Sequence, residues 1–306
     1  MRNECTAADM DRELAGWKTG NAYGQVIGVY RRCFNILTDE GGIVSIFGSV
    51  PYLMPMSIRT RLDPDTVPFA ECACEGDEVF IFQGTLSIPA SGFRCRLGSA
   101  VLHEMRRRSV PGTDPQLLYR QCLRMAELMR VHARQAGEGA NLTYWTEYLL
   151  HGKAIPPEKR ILNAAARLKD AALSYDEERI RTCLMDTVGA GIGLTPSADD
   201  MISGMAHAIY MFRDDEAGDR FLQTLRGFIR ENGRERTTRV SAQQLEQSAC
   251  GIMSDPVYEL LCCMAQDTPE NMLEQALIRV LDYGGSSGTE LCMGVLALCT
   301  LANTGA

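Results

Sequence analysis

Residues 188–204 read Val188-Gly-Ala-Gly-Ile-Gly-Leu-Thr-Pro-Ser-Ala-Asp-Asp-Met-Ile-Ser-Gly204. Gly189, Gly191 and Gly193 alternate, which permits positive φ and close approach to the backbone. Pro196 stiffens the chain, Ser197 stands where an N-cap belongs, and Asp200 follows three residues later as in a capping box. Met201, Met205 and Phe212 then supply part of a buried face at helical spacing. The segment therefore predicts a glycine-rich loop that opens a helix.

Around it the period stays helical. From Asp114 onward, apolar stripes recur at Leu117 to Met129, Ile161 to Leu173, Ile180 to Val188, Phe221 to Ile229, Val240 to Cys250, Val257 to Met264, Met272 to Leu281 and Leu291 to Leu301. Upstream the period shortens to two. Val26 to Tyr30 reads as a strand, and Phe34 to Leu37 and Ile43 to Phe47 read as a hairpin around Gly41-Gly42. Val79 to Phe82 and Thr85 to Ile88 flank Gln83-Gly84, a second hairpin signal. Pro51, Pro55, Pro64 and Pro68 confine any strand among them to an edge, and Ala8 to Lys18 carries a short helical pattern. The expectation is an α+β chain: a small antiparallel β-sheet or barrel over 1–110, then a mostly helical domain over 111–306.

Composition bounds the function. The chain has 306 residues, 45% hydrophobic and 23% charged, and a net charge of −8. Such a balance is that of a globular protein and argues against a nucleic-acid binder. The basic run Arg106 to Arg108 reads as a solvated loop or helix end. No apolar run approaches the ~18 residues of a membrane span, and the acidic N-terminal residues Glu4, Asp9, Asp11 and Glu13 are unlike a secretory signal. A cytoplasmic location follows, in which the twelve cysteines stay reduced. They include no Cys-x-x-Cys spacing, and the four histidines are scattered, so no zinc site is expected.

The glycine-rich start has a second copy. In Tyr283-Gly-Gly-Ser-Ser-Gly-Thr-Glu-Leu-Cys-Met-Gly294, setting Ser287 on Ser197 aligns Gly288 with Ala198, Glu290 with Asp200 and Gly294 with Gly204. A glycine two turns into a helix costs about 1 kcal/mol against alanine, so something should pack closely there, most simply another helix. Two such helix starts, each with unpaired N–H groups and a positive dipole end, suit a small anion. Asp199 and Asp200, about 100° apart on a helix, cannot both cap; one is free to act as a base, a cation ligand or an acceptor for an amide N–H. The candidate ligand-binding residues are Gly191, Gly193, Thr195, Ser197, Ser286, Ser287, Gly288 and Glu290, with Asp199 and Asp200 as catalytic candidates. Between the two copies, Arg236 and Arg239 could clamp a carboxylate or phosphate, with Thr238 beside them. Asn35 is a weaker candidate in the β half. No cofactor motif is present; Mg²⁺ is the cation that the oxygen ligands Asp199, Asp200 and Glu290 would suit.

Gly193-Leu-Thr-Pro-Ser-x-Asp-Asp200, Arg236-Thr-Thr-Arg-x-Ser241 and Gly285-Ser-Ser-Gly-x-Glu290 resemble the AllH-like family, associated with the third subunit of a bacterial oxamate carbamoyltransferase of anaerobic allantoin degradation. The region of Asn35 and Pro55-Met-Ser57 matches its N-terminal part loosely, and Ala198 stands where that family usually carries glycine. The resemblance implies carbamoyl transfer between carbamoyl phosphate and oxamate, with oxalurate and phosphate as products, in a complex with AllF-like and AllG-like subunits. The residues themselves leave two alternatives: a non-catalytic assembly or binding subunit, and an Mg²⁺-dependent hydrolase.

Overall fold

The computed structural model describes residues 4–134, 141–172 and 174–297. Leu173 and the end of the last apolar stripe, residues 298–301, lie outside them. The chain divides into two compact units, Met1–Met105 and Arg106–Ala306.

The first unit is a barrel. Its strands are β1 (Glu4–Asp11), β2 (Asn21–Val29), β3 (Cys33–Thr38), β4 (Ile43–Phe47), β5 (Ser57–Thr60), β6 (Glu78–Phe82), β7 (Thr85–Ile88), β8 (Phe93–Arg96) and β9 (Val101–His103). They follow the order β5-β4-β3-β2-β6-β7-β8-β1, closed by pairing of β1 with β5, and β9 runs beside β1. Alternation drives the closure: Val79 and Ile81 of β6 and Leu86 and Ile88 of β7 point inward and are buried. Inside, the centre of the Phe34 ring lies 5.7 Å from those of both Phe69, tilted against it, and Phe93, edge to face. Phe69 belongs to the single-turn helix α1 (Phe69–Cys72). The expected second hairpin forms as read, with Gln83 at φ 45° and Gly84 at φ 75°, the positive pair that a two-residue hairpin turn requires.

Three expectations are corrected. Ala8 to Asp11 completes β1, and Arg12–Lys18 is a 3-10 helix; pairing with β5 and β9 outweighs the local helical pattern. The proline-flanked strand β5 is not an edge, because it holds β4 on one side and β1 on the other; no proline falls within its four residues. Nor is the barrel wholly antiparallel, since β1 runs parallel to β8 and β9, and β4 to β5.

The second unit is helical: α2 (Pro115–His132), α3 (Leu142–His151), α4 (Arg160–Ala172), α5 (Glu177–Thr187), α6 (Ser197–Phe212), α7 (Glu216–Arg236), α8 (Arg239–Ser248), α9 (Asp255–Met264), α10 (Glu270–Leu281) and α11 (Ser287–Leu296). Helix α3 has no counterpart in the stripes read above. Its signals are local: Asn141 caps it by accepting from the Thr143 and Tyr144 amides, and Gly152 ends it in the left-handed region. Trp145 anchors it by donating its indole N–H to the Met293 carbonyl at 2.7 Å. The Arg106–Arg108 run is not wholly solvated either. The Arg107 guanidinium is largely buried, bonds Asp255 and lies 5.2 Å from the centre of the Tyr258 ring.

Helix α6 is the centre of this unit. Every residue from Ser197 to Phe212 except Tyr210 is buried, as expected of a helix surrounded by others. The described cysteines are free thiols. Among the described residues no helix is long and apolar enough to cross a membrane.

Candidate active site at two converging helix starts

Helices α6 and α11 meet through their glycines. A Cβ on Gly204 would lie 2.0 Å from the Leu291 carbonyl oxygen and 3.0 Å from the Val295 nitrogen. A Cβ on Gly294 would lie 2.0 Å from the Met201 carbonyl oxygen and 2.9 Å from the Met205 nitrogen. Leu291 and Val295 are the residues that the alignment of Ser287 on Ser197 sets on Met201 and Met205. The contact is therefore reciprocal, a local two-fold relation that repeats the sequence repeat. Gly288, the partner of Ala198, approaches α10 in the same manner, with its Cβ position 2.0 Å from the Val280 carbonyl.

This crossing carries both N-termini to one place. Thr195 Oγ1, on the loop before α6, lies 3.0 Å from Ser287 Oγ in the first turn of α11. It also donates to Asp200 Oδ2 at 3.0 Å, and Ser287 hydrogen-bonds the same carboxyl. Asp200 is only 6% exposed. Burial pushes its pKa well above the ordinary aspartate value; the negative charges of Glu290 and Asp199 push the same way, and the Ser287 and Thr195 hydroxyls oppose them. While Asp200 keeps its proton, the three groups form a ring in which each donates once and accepts once. When it loses that proton it becomes a carboxylate held by two hydroxyls. Glu290, also buried, receives the Ser286 hydroxyl at 3.3 Å.

The expected capping box does not form. The cap position of α6 is Pro196, that of α11 is Ser286, and neither makes a side-chain cap bond. Ser197 is instead the first helical residue, and Asp200 turns toward Thr195 and Ser287, because the second helix offers it partners that a solvated helix start lacks. Ser197 is buried, with the Cβ position of Gly191 2.6 Å from its amide nitrogen and 3.3 Å from its hydroxyl oxygen.

Asp199 faces the other way. Its Oδ1 accepts the Gly189 amide at 2.7 Å, and its Oδ2 accepts the hydroxyls of Thr237 at 2.5 Å and Ser241 at 2.6 Å. Burial raises its pKa against these three bonds. It thereby ties the start of the glycine loop to the junction of α7 and α8. That junction is tight: a Cβ on Gly189, at φ 82°, would lie 1.8 Å from the Arg236 carbonyl oxygen. Thr238 caps α8 by accepting the Ser241 amide at 3.0 Å, and donates its hydroxyl to the Leu194 carbonyl at 2.6 Å. Asp199→Asn puts an amide where two hydroxyls now donate. It should cost about 2–3 kcal/mol, read as a lowered urea midpoint; an unchanged midpoint would mean that Asp199 does not hold the loop.

Arg236 and Arg239 sit at this junction with exposed side chains, and neither makes an ion pair among the described residues. Gly191 and Gly193 hold φ values of 127° and 104°. Between them Ile192 is 73% exposed. Asn35 belongs to the barrel unit, where it is buried and its Oδ1 accepts the Ser45 hydroxyl at 2.8 Å across the β3–β4 pair. Among the described residues, no group of three or more His, Cys, Asp or Glu is placed to hold a metal ion.

One residue that the sequence reading passed over lies on the same helix. Asp199, Ser203 and His207 recur every four residues along α6, and His207 is buried beside Ser248 of α8. Ser248 spends its proton on the Gln244 carbonyl, so it can only accept from His207 Nε2, at a long 3.5 Å. His207 Nδ1 has no partner among the described residues. Burial lowers the His207 pKa from 6.5 to about 4. A depressed histidine favours the fold above pH 6.5, and that contribution is lost as pH falls from 6.5 toward 4. At about 1.4 kcal/mol per pKa unit the loss approaches 3 kcal/mol. In denaturant titrations across that window, His207→Leu should flatten the fall; an equal slope in both proteins would reject this assignment.

These features define a chain with a closed barrel in one unit and, in the other, two symmetry-related helix starts meeting over a buried carboxyl. The family model described as AllH family N-terminal domain matches residues 6–102, and that described as oxamate carbamoyltransferase subunit AllH matches residues 187–299. Together they span most of the chain, which belongs to the AllH family. No solved structure matches it.

Proposed function

We propose that this subunit binds the small anionic substrates of carbamoyl transfer at the paired starts of α6 and α11, with Asp200 as the proton acceptor. The observation that carries this is the 3.0 Å approach of Thr195 and Ser287 over a buried carboxyl of raised pKa. In the forward direction the oxamate amide nitrogen attacks the carbamoyl carbon of carbamoyl phosphate. A C–N bond forms, the C–O bond to phosphate breaks, phosphate leaves, and the amide proton passes to Asp200. A carboxylate whose pKa is raised is the better base for that proton. The Ala198, Asp199, Asp200, Gly288 and Glu290 amides are spent on backbone carbonyls, so the glycine loop and the Ser197, Ser287 and Thr289 amides would supply the N–H groups, and Arg236 and Arg239 would meet a carboxylate or phosphate. Asp199, with its oxygens spent on three bonds, fixes the loop. Two further subunits, AllF-like and AllG-like, complete the complex in this reading.

Isothermal titration of the chain, alone and with those subunits, against carbamoyl phosphate, phosphate, oxamate and oxalurate, with and without Mg²⁺, tests it. Binding should weaken at least tenfold in Arg239→Ala; equal affinities in wild type and variant would reject the site. A second reading, a non-catalytic assembly subunit, is favoured by the exposed Ile192 at the loop tip. It expects Ile192→Asp to prevent assembly and Asp200→Asn to leave assembled activity intact.

A further inference from the structure

The outward face of the barrel strands β2, β6, β7 and β8 has a composition that solvent alone does not explain. Where one side of an antiparallel sheet faces water, polar residues are expected at the outward positions. Here Tyr23, Phe80 and Phe82 occupy them, 40%, 39% and 60% exposed. The register places them in two rows that end on arginine. One runs Tyr23–Phe80–Ser87–Arg94 and the other Asn21–Phe82–Thr85–Arg96. Tyr23 and Phe80 pack edge to face at 5.4 Å, and the Tyr23 hydroxyl donates to Glu78 at 2.9 Å. Arg94 and Arg96 are exposed and make no ion pair among the described residues, although Glu4 stands beside Arg94 in the register.

From this juxtaposition we infer that the β2–β6–β7–β8 face is a docking surface for another subunit of the carbamoyltransferase, one presenting an apolar centre flanked by carboxylates. Three observations carry it. The family is described as a subunit, so a partner surface is required. Aromatic residues and arginine are the types enriched at the centres of protein interfaces, where a few of them dominate binding. The arginines stand on the β8 side of the aromatic patch and make no ion pair among the described residues, while Glu78 precedes Phe80 along β6. The partner's carboxylates therefore fall over β8 and its apolar side chains over Phe80 and Phe82. The face lies wholly within the barrel and goes beyond the chemistry proposed above. Nucleic acid would also stack on aromatic rings, but a chain of net charge −8 disfavours it.

The test is co-expression of the full chain with the AllF-like and AllG-like subunits and measurement of the assembly by size-exclusion chromatography with light scattering. Phe82→Asp and Arg96→Glu are each expected to weaken assembly roughly 30-fold or more, while Glu40→Lys, in the β3–β4 turn, leaves it unchanged. Unaltered melting curves of the free variants establish that the barrel is intact, and wild-type assembly should slow amide exchange over 78–88. Assembly indifferent to both substitutions, or a wild-type chain that does not co-elute with these subunits, overturns the inference. So does a homodimer of this chain that the substitutions dissociate, or single-stranded RNA binding that they abolish. Because the readout is assembly and not turnover, its failure is distinct from a failure of the role proposed for Asp200.

Discussion

Gly294→Ala is expected to prevent the Arg106–Ala306 unit from folding, and Gly204→Ala to do the same. In an open helix the exchange gains about 1 kcal/mol, since alanine is the better helix former. At these two positions the added methyl would lie 2.0 Å from a carbonyl oxygen of the facing helix. The obstacle is backbone, which no rotamer change relieves, so α6 and α11 would have to separate by more than an ångström along a buried contact. A cost above about 4 kcal/mol belongs to the severe end of single substitutions and is comparable to the whole stability of many domains. Gly227 on α7 is the control: its Cβ position meets nothing within 4 Å, and Gly227→Ala should raise stability by about 0.5–1 kcal/mol. Circular dichroism melts of the three variants check this. A Gly294→Ala protein that melts within a few degrees of wild type would refute the close crossing.

Asp200→Asn should remove carbamoyl transfer while making the chain more stable. The side chain is almost isosteric, and its amide reproduces the donor and acceptor of the protonated carboxyl in the ring with Thr195 and Ser287. It carries no charge to desolvate. A carboxyl whose folded pKa is raised stabilises fully below its unfolded value of about 3.9, and that contribution is lost as pH climbs toward the folded pKa. The stability difference between Asn variant and wild type should therefore be near zero at pH 3 and grow with pH. Activity of the assembled enzyme should fall by about 10²–10⁴, the usual worth of a positioned acid–base group. A variant that keeps its activity would favour the assembly reading. A variant that is destabilised at pH 8 would mean that Asp200 is held as a carboxylate by stronger bonds than the two hydroxyls provide.

Much of this arrangement is legible in one dimension because it depends on neighbours in the chain. Alternation at Val79–Phe82 and Thr85–Ile88 fixes which side chains point inward, and Gln83-Gly84 fixes the turn. The 3.6-residue stripes locate all but one of the described helices from α2 onward, α3 being the exception. The matched spacing of Ser197 and Gly204 with Ser287 and Gly294 announces two helices of one kind, and their glycines announce a close neighbour. Capping was the weak point, since Ser197 and Asp200 satisfy the local rule for a box and yet do not make one.

Only the tertiary structure decided what lay across the gaps. That Asp200 meets Ser287 as well as Thr195 of its own loop, and that Asp199 is occupied by Thr237 and Ser241, rest on contacts between residues about 40 to 90 positions apart. No local pattern encodes such distances, because hydrogen bonding is short-ranged in space and indifferent to separation along the chain. The same reason turned Ala8–Asp11 from helix into strand: β5 and β9 supply the backbone partners, and a paired, buried strand outweighs the few tenths of a kcal/mol per residue that propensity offers.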